Sequence, residues 1–418
     1  MVVIEYFRET DLKLFAQFFI PSPCRNVSCS TIFLFLSVPP ANPASDYSVA
    51  NPDVVTKYKT AGDISSRVLD QVKKLVVAGA KVFDLCKAGD ALMEAELAKI
   101  YNSKKAAKIS KGIAFPTCVN PNHIPGHFSP VSDDDEANWT LKDGDVVNVM
   151  LGVQIDGFPA IVADTTVVSA ESKVSGHKAD LLHAAWNASE AAIRTFKPNN
   201  RNWDVTNVVD KVVKDFGCTA VESMLTHNQE RNVLYGPKEV ILNPNKDNKN
   251  QMDTHRFEVN EVYGLDILVS TSEDGKVKPS NYKTSLYKLT GNSYALKLKS
   301  SHQILGELKA KSNGPFPYNV RNLDDARKAR MGLIECVNHQ VVLAYDIMTE
   351  KEGEYVAQFF TTFAITANGI VKFTHPSFDP EAYETDKSIG DEDIKKLISE
   401  PLKKSAKKKK AKKTDGAA

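Results

Sequence analysis

Two histidines and a run of acids stand close together in the first half of the chain, where they could bind a metal. His123 and His127 are four residues apart, the spacing that places two zinc-binding imidazoles on one helix face. Pro121 and Pro125 make a helix there implausible, so the spacing predicts no zinc site. The acidic run at 133–136 is a candidate cation site, but a solvated loop is the simpler interpretation. No G-x-x-x-x-G-K-[ST], G-x-S-x-G or H-E-x-x-H motif is present.

The chain ends in a lysine-rich segment whose charges could bind phosphate groups. Eight of the 53 basic residues lie within 403–413, which holds no acid, while residues 1–402 carry 45 basic and 51 acidic side chains. Such a segment attracts nucleic acid without reading sequence, and it also matches a nuclear or nucleolar localisation signal. The candidate nucleic-acid-binding residues are Lys403, Lys404, Lys407, Lys408, Lys409, Lys410, Lys412 and Lys413.

The composition is typical of a globular protein, with 42% hydrophobic and 25% charged residues. Six cysteines without a C-x-x-C pair favour reduced thiols in the cytosol or nucleus. No apolar run reaches the roughly 18–20 residues that span a bilayer, so we expect no membrane association. Residues 1–46 lack sustained periodicity and end in PPANPAS, which indicates an unstructured or artefactual extension.

Helical and strand patterns alternate through the rest of the chain. Helices are predicted near 64–76, 90–101, 175–196, 204–216, 324–344 and 392–399. Strands are predicted near 146–153, 160–168, 256–259, 261–270, 355–366 and 370–374. Asp156-Gly157 and Asn368-Gly369 predict tight hairpins, so we expect an α+β fold with an antiparallel sheet. It would contain two units of a helix pair and a hairpin, the second interrupted by an insert at about 272–320.

Several sequence blocks follow one another in an order that is specific to one enzyme class. GIAFPT at 112–117 and GHFSP at 126–130 resemble the segment that opens the substrate pocket of type II methionine aminopeptidases. The blocks LKDGDVVNVMLGVQIDGFPAIVADTTVV, MLTHNQ, EVYGLDILVS and EYVAQFFTTFAI then resemble the metal-binding blocks of those enzymes. The resemblance implies the pita-bread (creatinase/aminopeptidase) fold, with two halves related by a pseudo-twofold axis.

The aminopeptidases bind two metals with five protein ligands, so that a bound water becomes a nucleophile. Carried onto this sequence, the resemblance places the two aspartates at Met150 and Ile161 and the final glutamate at Phe360. The histidine is kept as His227, and the remaining glutamate position holds Asp266. One imidazole and one carboxylate therefore remain, and we expect no metal, no other cofactor and no peptidase activity.

Other pocket positions also carry over from the resemblance. The histidine that contacts substrate corresponds to His127, for which a hydrogen-bonded structural role is the preferred interpretation, and the second pocket histidine falls on Tyr235. A hydrogen bond between His227 and Asp266 is an open possibility. Apolar side chains at the lost ligand positions predict that the former metal site is filled and has become core.

A closer resemblance accounts for the lost ligands. NPDVVTKYKTAGDISSRVL, the GIAFPT and HFSP blocks, EYVAQF and the lysine-rich end resemble the proliferation-associated, ErbB-receptor-binding protein family, whose fungal members are called curved DNA-binding proteins. The resemblance implies a non-catalytic protein of nucleus, nucleolus and cytoplasm that binds RNA and acts in 60S ribosome biogenesis or at the exit tunnel. Relatives often keep the first aspartate, which is Met150 here.

The resemblance also gives the domain limits and a second basic region. It predicts one aminopeptidase-like domain at 51–380, followed by a polar segment and lysine tail at 381–418. It suggests that the insert faces ribosomal RNA, although a solvated lysine face is equally consistent with the sequence. Further candidate contacts are Lys297, Lys299, Arg327, Lys328 and Arg330.

Two other functions are consistent with the sequence. A DNA-binding or transcriptional-adaptor protein would show the same charge pattern, because phosphate attraction does not distinguish DNA from RNA. A peptidase with a single metal at His227 and Asp266 would be one ligand short of the three that catalytic zinc sites use.

Overall fold

The computed structural model describes residues 47–104, 106–169, 173–312 and 314–403. The predicted extension at 1–46 and the lysines from 404 onward lie outside these residues. Among the described residues, no helix has the length and apolar character needed to cross a membrane.

The first half of the fold begins with two helices that pack on one another, α1 (Pro52–Lys73) and α2 (Val82–Leu97). The side chain of Asn51 caps α1 by accepting a hydrogen bond from the Asp53 amide. Pro52 lies in the first turn, where a missing N–H removes no helical hydrogen bond. The sequence predicts the second helix from residue 90 to 101, but α2 starts two turns earlier and ends at 97.

Three antiparallel strands follow: β1 (Lys111–Pro121), β2 (Val146–Ile155) and β3 (Phe158–Val167). β2 and β3 form the predicted hairpin, with Asp156 and Gly157 at φ values of 55° and 82°. Positive φ at both central residues matches the twist of the flanking strands. All residues of β2 are buried, and all except Asn148 and Gln154 are apolar or glycine, which is why the strand shows no strict alternation of apolar and polar residues.

The second half repeats the order of helix pair and strands. Its elements are β4 (Val174–Ser175), α3 (His177–Thr195), α4 (Asn202–Asp215), β5 (Thr219–Ala220), β6 (Met224–Gln229), β7 (Glu239–Leu242), α5 (Lys246–Gln251) and β8 (Val262–Ser270). α3 and α4 lie within two residues of their predicted limits. The predicted strand at 256–259 is wrong, because Arg256 forms only an isolated bridge with Arg201.

The insert is larger than predicted and has a core of its own. Its elements are β9 (Lys278–Pro279), β10 (Leu286–Leu289), α6 (Lys299–Lys311), β11 (Tyr318–Asn319), α7 (Ala326–Asn338), β12 (Val342–Ala344) and β13 (Met348–Thr349). α6 and α7 pack around Ile304, Leu308 and Leu333, so the insert continues past residue 320. The predicted helix at 324–344 ends at 338, because Gln340 has a φ of 56° and the next residues form β12.

The last elements complete the main sheet: β14 (Val356–Thr366), β15 (Gly369–Lys372), β16 (Tyr383–Glu384) and α8 (Glu392–Ser399). The sheet order is β1-β2-β3-β14-β8-β6-β7, so β3 and β14 join the two halves at its centre. Its strand pairs are antiparallel, which confirms the predicted α+β architecture. Leu397, Ile398 and Leu402 pack on the second-half core, so the described part of 381–418 belongs to the domain.

Two arginines of the insert dock it against the first half. The guanidinium of Arg321 pairs with Asp90 of α2 and donates to Ser129 Oγ at 2.7 Å. The guanidinium of Arg330 donates to both carboxylate oxygens of Asp134 at 2.7 and 2.6 Å. Paired nitrogens and oxygens in this fork arrangement fix orientation as well as distance, so the insert and the first half form one body.

Candidate functional site: an apolar cavity and a basic insert

One cavity brings together the residues that the sequence placed at the former metal site. It has a volume of about 210 Å³, and Pro125 and Gly126 are among the residues that line it. The five predicted ligand positions and the predicted substrate contact all line it: Met150, Ile161, His227, Asp266, Phe360 and His127. The apolar replacements are buried together in one core cluster, which agrees with the expectation that the former site has become core, but a cavity remains beside them.

Three neighbouring strands place the lost ligand positions on one side of this cavity. Met150 of β2 and Phe360 of β14 both lie opposite Ala163 of β3, and Ile161 lies two residues earlier on β3. All three side chains are buried in one apolar cluster with Phe115. Side chains of this kind cannot coordinate a divalent cation, and they create a low-dielectric wall where the relatives' carboxylates would stand.

Phe360 depends on a glycine of the neighbouring strand. A Cβ added to Gly264 of β8 would lie 2.6 Å from the Phe360 ring and 2.5 Å from the Gln229 amide nitrogen. Glycine at 264 therefore allows the ring to lie flat against β8, where a larger residue would displace it.

His227 lies on β6, which pairs with β7 and β8, and its ring packs edge-on against Tyr235. Its Nδ1 lies 3.3 Å from the Gly236 carbonyl oxygen and 3.4 Å from Glu239 Oε1. Two acceptors beside Nδ1 assign the proton to that nitrogen and leave Nε2 as an acceptor. Burial lowers the pKa of His227 to about 4, so the ring is neutral near pH 7.

Asp266 of β8 lines the cavity and accepts a hydrogen bond from Gln358 Nε2 at 2.8 Å. Burial raises the pKa of this carboxyl to about 7, while the Gln358 hydrogen bond acts in the opposite direction. No hydrogen bond joins His227 to Asp266 in the described part of the chain, because each side chain has other partners. The possible relic pair is therefore not formed.

Replacing Asp266 with asparagine should stabilise the protein at high pH only. A carboxyl whose pKa is raised by folding binds its proton more tightly in the folded state, so it lowers stability as pH rises from about 4 to about 7. Asp266→Asn removes this loss, and we expect it to raise the free energy of unfolding by about 1–3 kcal/mol near pH 8, with little change near pH 4. The lowered pKa of His227 makes the free energy of unfolding rise with pH, which is the opposite dependence. This contribution is the same in both proteins, so it cancels in the difference between them.

Urea unfolding of both proteins across this pH range measures the difference. Gln358 Nε2 can still donate to the asparagine oxygen, so a local loss of packing is not expected. A stability difference that does not change with pH would show that the Asp266 carboxyl has an ordinary pKa.

His127 belongs to the cavity wall and has a left-handed backbone, with a φ of 67°. Its Nδ1 lies 3.3 Å from the Asp346 carbonyl oxygen, and its ring packs edge-on against Tyr345. The Tyr345 hydroxyl in turn lies 2.9 Å from the hydroxyl of Tyr235. These contacts support the preferred structural role for His127, because the insert side of the cavity holds the ring in place.

Gln229, Tyr345 and Gln358 are among the polar residues of the cavity that sequence reasoning missed. Gln358 stands two residues before Phe360 on a strand, which places both side chains on one face. Gln229 stands two residues after His227 for the same reason. The two-residue repeat of a strand could therefore have predicted both glutamines as cavity residues. Tyr345 could not have been predicted in this way, because it reaches the cavity through the fold of the insert.

The two-metal centre of the aminopeptidases does not fit the residues at this site. His227 and Asp266 are the remaining donors among the five positions, and no group of three His, Cys, Asp or Glu residues suited to a metal exists in the described ranges. The two other carboxylates nearby are engaged elsewhere: Glu239 at His227 Nδ1, and Glu222 as acceptor of the Asn245 amide at 3.0 Å. One imidazole and one carboxylate are one ligand short of the three protein ligands that catalytic zinc sites use.

The insert carries a separate basic surface. Arg327 and Lys328 have side chains 72% and 80% exposed, and Lys297 and Lys299 are also exposed. Arg330, predicted with them, is instead committed to Asp134, and its side chain is only 17% exposed. It therefore anchors the insert and cannot offer its guanidinium to phosphate. Lys403 is exposed beside Gly369, and the other predicted tail lysines lie outside the described residues.

The fold and the five positions define the class of protein. Residues 56–264 match metallopeptidase family M24. A methionine aminopeptidase from Thermotoga maritima superposes with a TM-score of 0.51 at 18% identity, covering 78% of this chain and 97% of that one, which shows the shared fold. This chain is an M24-fold protein with the apolar lining described above. Within that class it belongs to the family of proliferation-associated, ErbB-3-binding and curved DNA-binding proteins.

This assignment rests on the similarity to two relatives. The curved DNA-binding protein of Schizosaccharomyces pombe is 46% identical over 374 residues, which cover 90% of this chain and 97% of the relative. The structure of a thermophilic Arx1 superposes with a TM-score of 0.78 at 35% identity, covering 85% of this chain and 99% of that one. The predicted family and fold are therefore confirmed.

Proposed function

We propose that this chain is a non-enzymatic protein that binds the 60S ribosomal subunit or structured RNA. Its role would lie in 60S biogenesis or at the exit tunnel, in both nucleus and cytoplasm. The observation that carries the proposal is the exposed face of the insert, where cations and apolar side chains lie together. The resemblance of the sequence to ribosome-associated family members supports the same assignment.

The exposed face follows one side of α7. Arg327, Met331 and Ile334 recur at spacings of four and three, and the last two are 69% and 61% exposed. Lys297 and Leu298 lie beside it, because their backbone amides donate to Glu335 of α7 at 2.7 and 3.1 Å. The positively charged side chains of this face attract phosphate, and the exposed apolar side chains beside them can contact protein. The face therefore suits a partner whose surface is made of both RNA and protein.

Absence of peptidase activity is the second part of the proposal. It is supported by Met150, Ile161 and Phe360 at the positions of bridging carboxylates. We expect the purified chain, dialysed against zinc, cobalt or manganese, to retain less than about 0.1 metal per chain, because two ligands hold a catalytic ion too weakly. We also expect no release of methionine from peptides. One metal per chain together with turnover that His227→Ala abolishes would establish a single-metal peptidase instead.

Sedimentation with purified 60S subunits tests the binding function. We expect the full chain to co-sediment at low salt and to dissociate as salt rises, since phosphate contacts release counterions. Removing residues 403–418 should weaken binding and reduce its salt dependence, while the insert retains part of the affinity. Failure of the full chain to co-sediment at low salt would contradict the proposal.

DNA binding is the second candidate, and it is favoured by the similarity to the curved DNA-binding protein of S. pombe. Competition between a curved duplex, a structured RNA and 60S subunits for one labelled sample separates the two functions. Stronger displacement by the duplex than by the RNA would favour DNA as the main ligand. The tail lysines would serve either function, and they would also direct the chain to the nucleus.

A further inference from the structure

Two aromatic rings of the insert stack on one another at its surface, and the functions above do not depend on them. The ring centroids of Tyr294 and His339 lie 3.7 Å apart, and the ring planes are within 9° of parallel. Tyr294 is 43% exposed, and His339 is also exposed. Each ring covers one face of the other, so the outer faces are left for solvent or for a ligand. We call Tyr294 and His339 the aromatic pair.

The loop that carries Tyr294 is held in position by contacts that do not involve the two rings. This loop follows β10, and the side chains of Thr290 and Asn292 donate to the Gln340 carbonyl oxygen at 2.7 and 3.0 Å. Leu296, further along the loop, is buried in the core of the insert. The loop is therefore fixed without help from the stacked rings, and a ligand that binds there has little additional chain to order.

Positively charged side chains flank the aromatic pair. Lys297 and Lys299 follow Tyr294 in the chain, and both are exposed. Glu335 lies one turn before His339 on α7, and its carboxylate accepts hydrogen bonds from two backbone amides at 2.7 and 3.1 Å. These two donors partly balance its negative charge. The surface therefore combines flat aromatic rings with cations that attract phosphate.

A nucleotide matches this combination within a single residue. Its base is planar and stacks on aromatic side chains, and its phosphates carry the negative charge that lysines attract. A protein segment would need an apolar side chain to cover the rings and separate acidic side chains to meet the lysines. Bases inside a duplex are already stacked on their neighbours, so the base must be unpaired. The chemistry of this surface therefore favours a bulged or looped nucleotide.

We propose that the aromatic pair binds an unpaired base of RNA, which continues the stack on an outer ring face. Lys297 and Lys299 contact the phosphates on either side of that base. Binding of this base rests on the proposed function, because it specifies which part of an RNA the insert recognises. A fully paired curved DNA offers no such base, so this site favours RNA with bulges or loops as the partner.

Fluorescence anisotropy with the full chain tests the base preference. The probe is a labelled RNA hairpin with one bulged adenine, compared with the same hairpin carrying an abasic site at the bulge and with a fully paired hairpin. We expect the bulged adenine to raise the affinity by about tenfold over both other RNAs, since a base gains this much by stacking on aromatic side chains. The phosphates are the same in the bulged and abasic RNAs, so their difference isolates the base. Equal affinity for these two RNAs would overturn the proposal.

Changes to the rings show whether the aromatic pair causes this preference. Tyr294→Leu combined with His339→Leu should abolish the preference for the bulged adenine and leave the affinity for the abasic RNA within about twofold. Tyr294→Phe combined with His339→Phe keeps both rings and should keep the preference. Tyr47→Leu is the matched control and should also keep it, because Tyr47 is 49% exposed but lies outside the insert. An equal loss of affinity for both RNAs in the leucine variant would show a merely structural role and overturn the proposal.

Sedimentation with 60S subunits separates failure of this site from failure of the proposed function. If the full chain co-sediments with the subunits but does not prefer the bulged adenine, the role of the aromatic pair is wrong and the proposed function stands. If the chain binds neither the subunits nor any of the three RNAs, the proposed function fails as well. If the leucine variant loses affinity for 60S subunits while the unchanged chain shows no base preference, the rings contact protein, which would also overturn the proposal.

Discussion

A quadruple charge reversal on the insert lowers the affinity for 60S subunits by on the order of 100-fold near 0.1 M salt. The residues to be changed to glutamate are Lys297, Lys299, Arg327 and Lys328. Each lost phosphate contact removes nearly one released counterion, so the slope of log affinity against log salt falls by about three to four. Sedimentation at several salt concentrations measures both quantities.

The two pairs of residues should not contribute equally. Arg327 lies 3.2 Å from Asp133 and Lys328 lies 3.1 Å from Asp325, so both charges are partly balanced. The side-chain ammonium groups of Lys297 and Lys299 form no ion pair among the described residues, and we expect their reversal to cause the larger part of the loss. Reversal of Lys246 and Lys249 on α5 is the matched control for reversal of the Lys297 and Lys299 pair, because both residues are exposed outside the insert. If the two double variants lost the same affinity for 60S subunits, only the total charge of the chain would matter.

Asp90→Ala should lower the free energy of unfolding by about 3–5 kcal/mol, the largest stability effect that we expect of a single change. Asp90 and Arg321 form a pair in which both side chains are less than 10% exposed. Asp90 also accepts a hydrogen bond from the Thr117 amide at 2.8 Å. Without the carboxylate, a buried guanidinium and a buried amide both lose their partner, and the penalty is that of an uncompensated charge.

Urea unfolding measures this loss, and a double variant tests its cause. Asp90→Leu combined with Arg321→Met removes both charges, so most of the stability should return. Asp210→Ala breaks the exposed pair with Lys214 and should cost less than about 1 kcal/mol. If the single variant lost no more than this control, Arg321 would be free to find another partner and the insert would be more loosely held than the structure shows.

The sequence predicted the elements that local chemistry determines. Asp156-Gly157 fixes its hairpin by backbone preference alone, and α3 and α4 follow from a helical period that continues without interruption. The start of α2 was missed because the residue that precedes it, Lys81, makes no side-chain cap. The predicted strand at 256–259 failed because a short run of strand-forming residues also needs a partner strand, and none lies beside it.

At the site, too, residue identity was predictable from the sequence, whereas features that depend on tertiary packing were not. Identities at Met150, Ile161 and Phe360 predicted the loss of metal ligands, since chemistry depends on residue type. The remaining cavity was not predictable from those identities, because its volume depends on how Phe360 lies against Gly264 and how Tyr345 approaches from the insert. Likewise, Arg330 and Arg327 look alike in sequence, and only the fold shows that the first is bound to Asp134.

The apolar wall of the cavity also restricts how this lineage can change. A single return to aspartate at Ile161 would bury a lone carboxylate between Met150 and Phe360, with no cation to balance it. A single change toward a metal-binding residue at this wall is therefore destabilising unless the other ligands are already present. Substitutions on the exposed face of the insert meet no such cost, so the sequence can vary there more readily than at the apolar wall of the cavity.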